Sequence, residues 1–297
     1  LLTPAALSAE RPHRKRPMTA PLLSRLLRRA LPLLAPLLAA GADAALFGPP
    51  EPLEAFAPEA RAGSDPDTRF ELAPWARFLE RYLVTDHASG VHRVRYGAVS
   101  AEDLAALDAW LEATRARGPD GLSRDAQFAW WVNLYNALTV RLILDDPEVE
   151  SIRDLGLLGT GPWGRDVTEV DGRALSLDDI EHRILRPLFG DRRVHFAVNC
   201  ASVGCPELAA EPWRAERLDS RLDAAVQRYL AHPRGLRFED GRLHLSSIFD
   251  WYRDDFPEGR EAFLAWLARY APEAQGERLR GYEGRIVHGY DWSLNDP

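Results

Sequence analysis

The chain has 297 residues, 46% hydrophobic and 28% charged, enough apolar content for a sizeable core and too much for a disordered or fibrous protein. Its formal net charge is −8, and it carries one lysine, Lys15, and one methionine, Met18. A body without lysine excludes Schiff-base chemistry, a pyridoxal phosphate anchor, a phosphate-loop lysine and a Ser-x-x-Lys acylation pair, and no cofactor is expected.

Translation is expected to start at Met18, from which MTAPLLSRLLRRALPLLAPLLAAGADA places Arg25, Arg28 and Arg29 ahead of an apolar run ending in Ala42-Asp43-Ala44. The run is too short to span a bilayer comfortably and ends in small residues, so residues 1–44 read as an upstream extension and a cleaved secretory signal peptide. A chain from Ala45 keeps 30 basic and 43 acidic groups, a net of −13. That charge makes nucleic acid and anionic membrane surfaces poor partners. No stable membrane span is expected after processing. The expected destination is periplasmic or extracellular, with an unknown substrate or envelope partner.

Residues 45–74 are expected to form a proline-rich tether or surface arm, and residues 75–297 a single domain. Helices are predicted over 75–84, over 101–116 where Leu104, Leu107, Trp110 and Leu111 keep helical spacing, and over 124–144. The last is apolar nearly all round, so it belongs in the centre of the core. Asp171-Gly172 and Asp240-Gly241 each sit between short apolar runs and predict two tight hairpins. Further helices are predicted over 176–189, 215–231, 247–256 and 259–270, with strands over 193–199 and 284–290. The order lacks regular βαβ alternation, which makes the fold class α+β: a buried central helix, two β-hairpins and surrounding helices.

Gly159-Thr160-Gly161-Pro162-Trp163-Gly164 fits the dinucleotide fingerprint in letters only, because no apolar strand precedes it and no helix follows. HFAVNCASVGCP, from His195 to Pro206, is richer in chemistry and holds both cysteines. A strand there puts His195 and Asn199 on one face. Cys205 precedes Pro206 and is expected to cap a helix, an environment that favours a thiolate, with His195 or His182 as base and Asn199 or a carboxylate as orienter. Four readings of the cysteines stay open: a structural disulfide, a catalytic free thiol, part of a zinc site with His195, and inert buried thiols. Asn133 and Asn136 share a face of the central helix and tie it to loop backbone or serve a site. Ser176 and Asp179 form a variant capping box ahead of Glu181 and His182.

Five stretches, WWVNLYNALTV, LSLDDIEHRILRP, VHFAVNCASVGCP, LSSIFDWYRDDF and YDWSLN, together resemble the family called domain of unknown function 547, over roughly residues 75–297. The resemblance implies no activity. It implies that Asn133, Asn136, Glu181, His182, His195, Asn199, Cys200, Cys205 and Asp291 contribute to a shared site. The order of buried helix, strand with His195 and strand with Asp291 is also similar to the papain and transglutaminase arrangement, although the helix offers Asn133 where those enzymes carry the nucleophilic cysteine. The expected function is a thiol-dependent hydrolase or acyl transferase with Cys205 as nucleophile, His195 as base and Asn199 or Asp291 as orienter, no metal being required. The competing expectation is a non-catalytic envelope binding or scaffold protein with a structural disulfide.

Overall fold

Helix α1 (Ala73–Tyr82) starts with Pro74 in its first turn, where a missing N–H costs nothing. Helices α2 (Ala101–Arg117) and α3 (Arg124–Leu144) each start on a serine whose hydroxyl accepts from the N–H three residues on, Ser100 from Asp103 and Ser123 from Ala126. These elements belong to a computed structural model that describes residues 50–61, 63 and 71–297; the expected signal segment lies outside the described residues. As its composition requires, α3 is the central helix: every residue from Ala126 to Val140 is buried.

The expected tether is in part a packed arm. Phe56 is fully buried edge-on against Trp131 of α3, and Leu53 N donates to Arg183 O at 2.9 Å. A two-residue ladder joins β1 (Leu83–Val84) to β2 (Arg93–Val94). Both expected hairpins are present, β3 (Asp166–Val170) with β4 (Arg173–Ser176), and β5 (Leu236–Glu239) with β6 (Arg242–Ser246). At both turns the Asp and the Gly take positive φ, 51° and 74° in one, 49° and 71° in the other, matching the twist of the strands they join.

Ser176 and Asp179 close the expected capping box, but the turns that follow, Asp179–Leu185, are π-helical rather than α-helical, before α4 (Arg186–Phe189) resumes the regular pitch. The strand expected over 193–199 is absent. Arg192–Phe196 forms a 3-10 helix, capped by the Asp191 side chain on Arg193 N, and the chain then runs irregularly to Pro206. Local capping outweighed the alternation of apolar residues.

Helix α5 (Leu218–Ala231) leads to β5 and β6, followed by α6 (Ile248–Trp251), α7 (Arg260–Tyr270) and α8 (Glu273–Leu279). Strand β7 (Ile286–Gly289) lies parallel to β6 and completes a three-stranded sheet. The result is the α+β architecture expected, with two apolar clusters. One surrounds α3 and the other lies between the three-stranded sheet and α5 to α8. Among the described residues no helix is long and apolar enough to cross a membrane.

Candidate functional site

The two cysteines are free thiols on the loop that leaves the 3-10 helix. Their sulfurs lie 3.0 Å apart, and Cys205 Sγ accepts from Cys200 N at 3.0 Å. The hydroxyls of Ser202 and Tyr290 stand 3.1 Å from Cys200 Sγ and 3.0 Å from each other. Burial alone would raise the Cys200 thiol, but hydrogen bonds from Cys205, Ser202 and Tyr290 bring it below the ordinary value. Burial pushes Cys205 well above the ordinary value, and the neighbouring Cys200 adds to the effect. The two shifts run in opposite directions, Cys200 down and Cys205 up, which favours a thiolate on Cys200 over one on Cys205.

The loop holding them is anchored by amides. Asn199 N donates to Asn136 Oδ1 at 2.8 Å, and Asn136 Nδ2 donates to Ala197 O at 2.9 Å. The Asn199 side chain accepts from Ala201 N and donates to Pro206 O, closing a turn in which Ala201 adopts a φ of 60°, unusual for a residue with a Cβ. The C-terminal segment seals the other side: Val203 N and Gly204 N donate to Ser293 O and Asp291 O, both at 2.8 Å. A Cβ on Gly204 would stand 2.7 Å from Asp291 N, so only glycine admits this approach, which delivers Tyr290 to Cys200.

A second set of polar side chains comes from the π-helical turn, the start of α4, the 3-10 helix Arg192–Phe196 and the 3-10 turn Arg253–Asp255 that follows α6. His195 is 2% exposed; its Nε2 donates to Asp255 Oδ2 at 2.5 Å while Nδ1 is buried without a hydrogen-bond partner. Arg186 grips the same carboxylate with two N–H groups, at 2.6 and 3.1 Å, and a third faces His182 Nδ1 at 3.2 Å. Because guanidinium only donates, His182 Nδ1 is an unprotonated acceptor. Burial lowers the proton affinity of both imidazoles despite the carboxylates around them. His195 is thus neutral, its tautomer fixed by Asp255, with the Nδ1 lone pair available. Burial of Glu181 opposes its charge, but whatever positive charge His182 and His195 carry, together with the Arg186 guanidinium and the Tyr135 hydroxyl 2.9 Å from Oε2, outweighs it and holds the carboxyl below its usual range.

Both sets open on one cleft of about 700 Å³, its open mouth included, lined by Cys200, Cys205, Glu181, His182 and His195. Trp163, Trp251, Trp292 and Tyr290 form an aromatic wall, with adjacent ring centroids 4.6–5.7 Å apart, and Arg153 lies over Trp292 at 5.3 Å. The cleft falls between the two apolar clusters, taking Tyr135 and Val198 from one and Ile248 from the other.

Several expectations about roles are corrected. No helix follows Pro206, so Cys205 is not a helix cap, and its environment disfavours a thiolate. Asn199 and His195 do not share a strand face, and the partner that orients His195 is Asp255 rather than Asn199 or Asp291. Asp291 is exposed, and its carboxylate accepts from Ser293 N. The papain and transglutaminase arrangement consequently fails at both positions where it needed strands. Asn133 is bonded through both ends of its amide to Trp213 backbone, a tie between α3 and a loop. Among the described residues no group of three or more His, Cys, Asp or Glu side chains is arranged to hold a metal.

Sequence reasoning missed Asp255, Arg186, Ser202 and Tyr290. Arg186 stands four residues after His182, a spacing that places them on one helical face, and the other three lie inside stretches already singled out. The fold and cleft therefore define an α+β domain with a paired-thiol loop facing a carboxylate-oriented histidine. Residues 119–230 match the family described as "Protein of unknown function, DUF547", and the chain carries a domain of that family. The match takes in the first three of the five stretches and stops before the last two. Nothing among the curated proteins or the solved structures matches the chain.

Proposed function

We propose that the cleft is the active site of a thiol-dependent hydrolase or acyl transferase in which Cys200, not Cys205, is the nucleophile. The observation that carries this reading is that Cys200 and the Asp255-oriented His195 line the same cleft. Cys200 attacks an acyl carbonyl, the C–O or C–N bond of the ester or amide breaks, and the alcohol or amine leaves carrying a proton, giving a thioester; His195 Nδ1 then takes the proton of the water or acceptor hydroxyl that attacks the thioester and frees Cys200. The aromatic wall holds the acyl group. Export would place this chemistry in the periplasm or outside the cell, and intact-mass analysis showing a chain that starts near Ala45 is the expected result.

Peptide mapping after reaction with a series of p-nitrophenyl esters tests the nucleophile. The expected adduct is on Cys200, lost in Cys200→Ser, with thioester turnover slowed about 10²–10⁴-fold in His195→Gln. Acylation of Cys205 instead, or hydrolysis indifferent to both variants, would defeat the reading. The second reading, a non-catalytic binding or scaffold protein, is favoured by one observation: among the described residues neither thiol is hydrogen-bonded to an imidazole. That reading expects no ester turnover.

A further inference from the structure

The acyl-transfer reading uses one thiol and leaves the second unexplained. Cys205 is buried, its sulfur 3.0 Å from Cys200 Sγ, accepting from Cys200 N at 3.0 Å and lying 3.9 Å from Val198 O. Cys200, by contrast, is half-buried at the cleft and surrounded by the Ser202 and Tyr290 hydroxyls. A cleft-lining, hydrogen-bonded sulfur beside a second thiol is the pairing that redox-active cysteines require, one to be oxidised and one to resolve the product.

We propose that Cys200 and Cys205 form a reversible dithiol–disulfide couple, in which Cys200 reduces a hydroperoxide and Cys205 resolves the sulfenic acid that results. In the first step the Cys200 thiolate attacks the terminal oxygen of the hydroperoxide. The O–O bond breaks, Cys200 becomes a sulfenic acid, and the alkoxide, or hydroxide in the case of hydrogen peroxide, takes a proton from solvent. In the second step Cys205 sulfur attacks Cys200 sulfur. The S–S bond forms, the S–O bond breaks, and the Cys205 proton leaves with the hydroxyl as water. Two electrons pass from the sulfurs to the peroxide, and a small-molecule dithiol returns them. The sulfurs have about 1 Å to close. The loop between them is short and already turned by Ala201 at positive φ, which sets the two sulfurs side by side.

The inference goes beyond acyl transfer and does not depend on it. Oxidation would remove the nucleophile that acyl transfer needs, so the cleft would work only when reduced. If esters are never turned over but the couple forms, the couple stands and the acyl-transfer reading falls.

The test uses the full chain purified under reductant, transferred to anaerobic buffer and treated with hydrogen peroxide. Samples are quenched with N-ethylmaleimide and mapped by peptide mass. The expected result is the loss of two hydrogens from wild type, a Cys200–Cys205 crosslinked peptide, and full recovery of both thiols with dithiothreitol. In Cys205→Ser, dimedone should label Cys200. In Cys200→Ser, Cys205 should react about ten-fold more slowly, or less, than Cys200 does in wild type. Wild-type mapping decides the matter even if either variant fails to fold. Cys200 running on to sulfinic acid while Cys205 stays free would overturn the couple, and so would a bridge that dithiothreitol cannot reduce in the folded protein.

Discussion

Replacing Asp255 by Asn is expected to lower the thermal midpoint by roughly 6–12 °C, corresponding to about 3 kcal/mol in a domain of this size. The carboxylate accepts from His195 Nε2 at 2.5 Å and from Arg186 at 2.6 and 3.1 Å, and its removal leaves the guanidinium beside a neutral amide. Arg186 and Asp255 retain 22% and 24% side-chain exposure, so the loss sits at the low end of the about 3–5 kcal/mol found when a fully buried pair is broken. The same cluster sets the acid limit. Burial opposes the Asp255 charge, but His195 and Arg186 hold the carboxyl well below its usual range, so its stabilisation is fully present above about pH 4 and is lost progressively as pH falls below it toward the depressed folded value. His195 and His182 are held neutral by burial in the folded state, whereas the unfolded chain binds their protons near about pH 6.5. Acidification therefore favours the unfolded state from that point downward. Melts of wild type should decline from pH 7 to pH 5 and decline again below about pH 4, with the second decline reduced in Asp255→Asn. A midpoint flat from pH 7 to pH 5 would contradict the neutral, tautomer-fixed imidazoles.

How much of this was readable beforehand depends on the range of the interactions. Helix α3 is legible to the residue because its start is a local serine cap and Asp145-Asp146-Pro147 follows its last apolar turn. The hairpins were legible because Asp-Gly occupies left-handed backbone at low cost, a property of two adjacent residues. The segment around His195 was misread for the opposite reason. Its alternation of polar and apolar residues is that of a strand, but the conformation is set by the Asp191 cap and by the grip of Asn136, which comes from α3. The π-helical turn carrying Glu181 and His182 has no local signature, since nothing in DIEHRIL separates it from an ordinary helix. The proposal of Cys200 in place of Cys205 rests on Tyr290, ninety residues away, whose hydroxyl reaches Cys200 through the pairing of 291–295 with 201–204. Residue types gave the inventory of the site; contacts between distant segments gave the roles.

Asn136→Leu is expected to destabilise the protein by about 3 kcal/mol even though it adds apolar volume to the core. The amide is 2% exposed and serves two backbone groups, donating to Ala197 O at 2.9 Å and accepting from Asn199 N at 2.8 Å. Leucine leaves both without a partner in a region closed to water, at about 1–3 kcal/mol each before relaxation. Asn133→Leu is the matched comparison, since Asn133 makes the same two kinds of bond, 2.8 and 2.9 Å, to the backbone of Trp213. The stability losses should be similar. The thiols should not respond alike, because Asn199 N, gripped by Asn136, lies one residue before Cys200, whereas Trp213 is outside the thiol loop. Iodoacetamide labelling of Cys200, followed by peptide mapping under conditions where each variant remains folded, should slow in Asn136→Leu and stay at the wild-type rate in Asn133→Leu. If both variants label at the wild-type rate, Asn136 ties the core together without positioning the thiol. If neither melts earlier, the two amides are not the buried bridges between α3 and its loops that their hydrogen bonds describe.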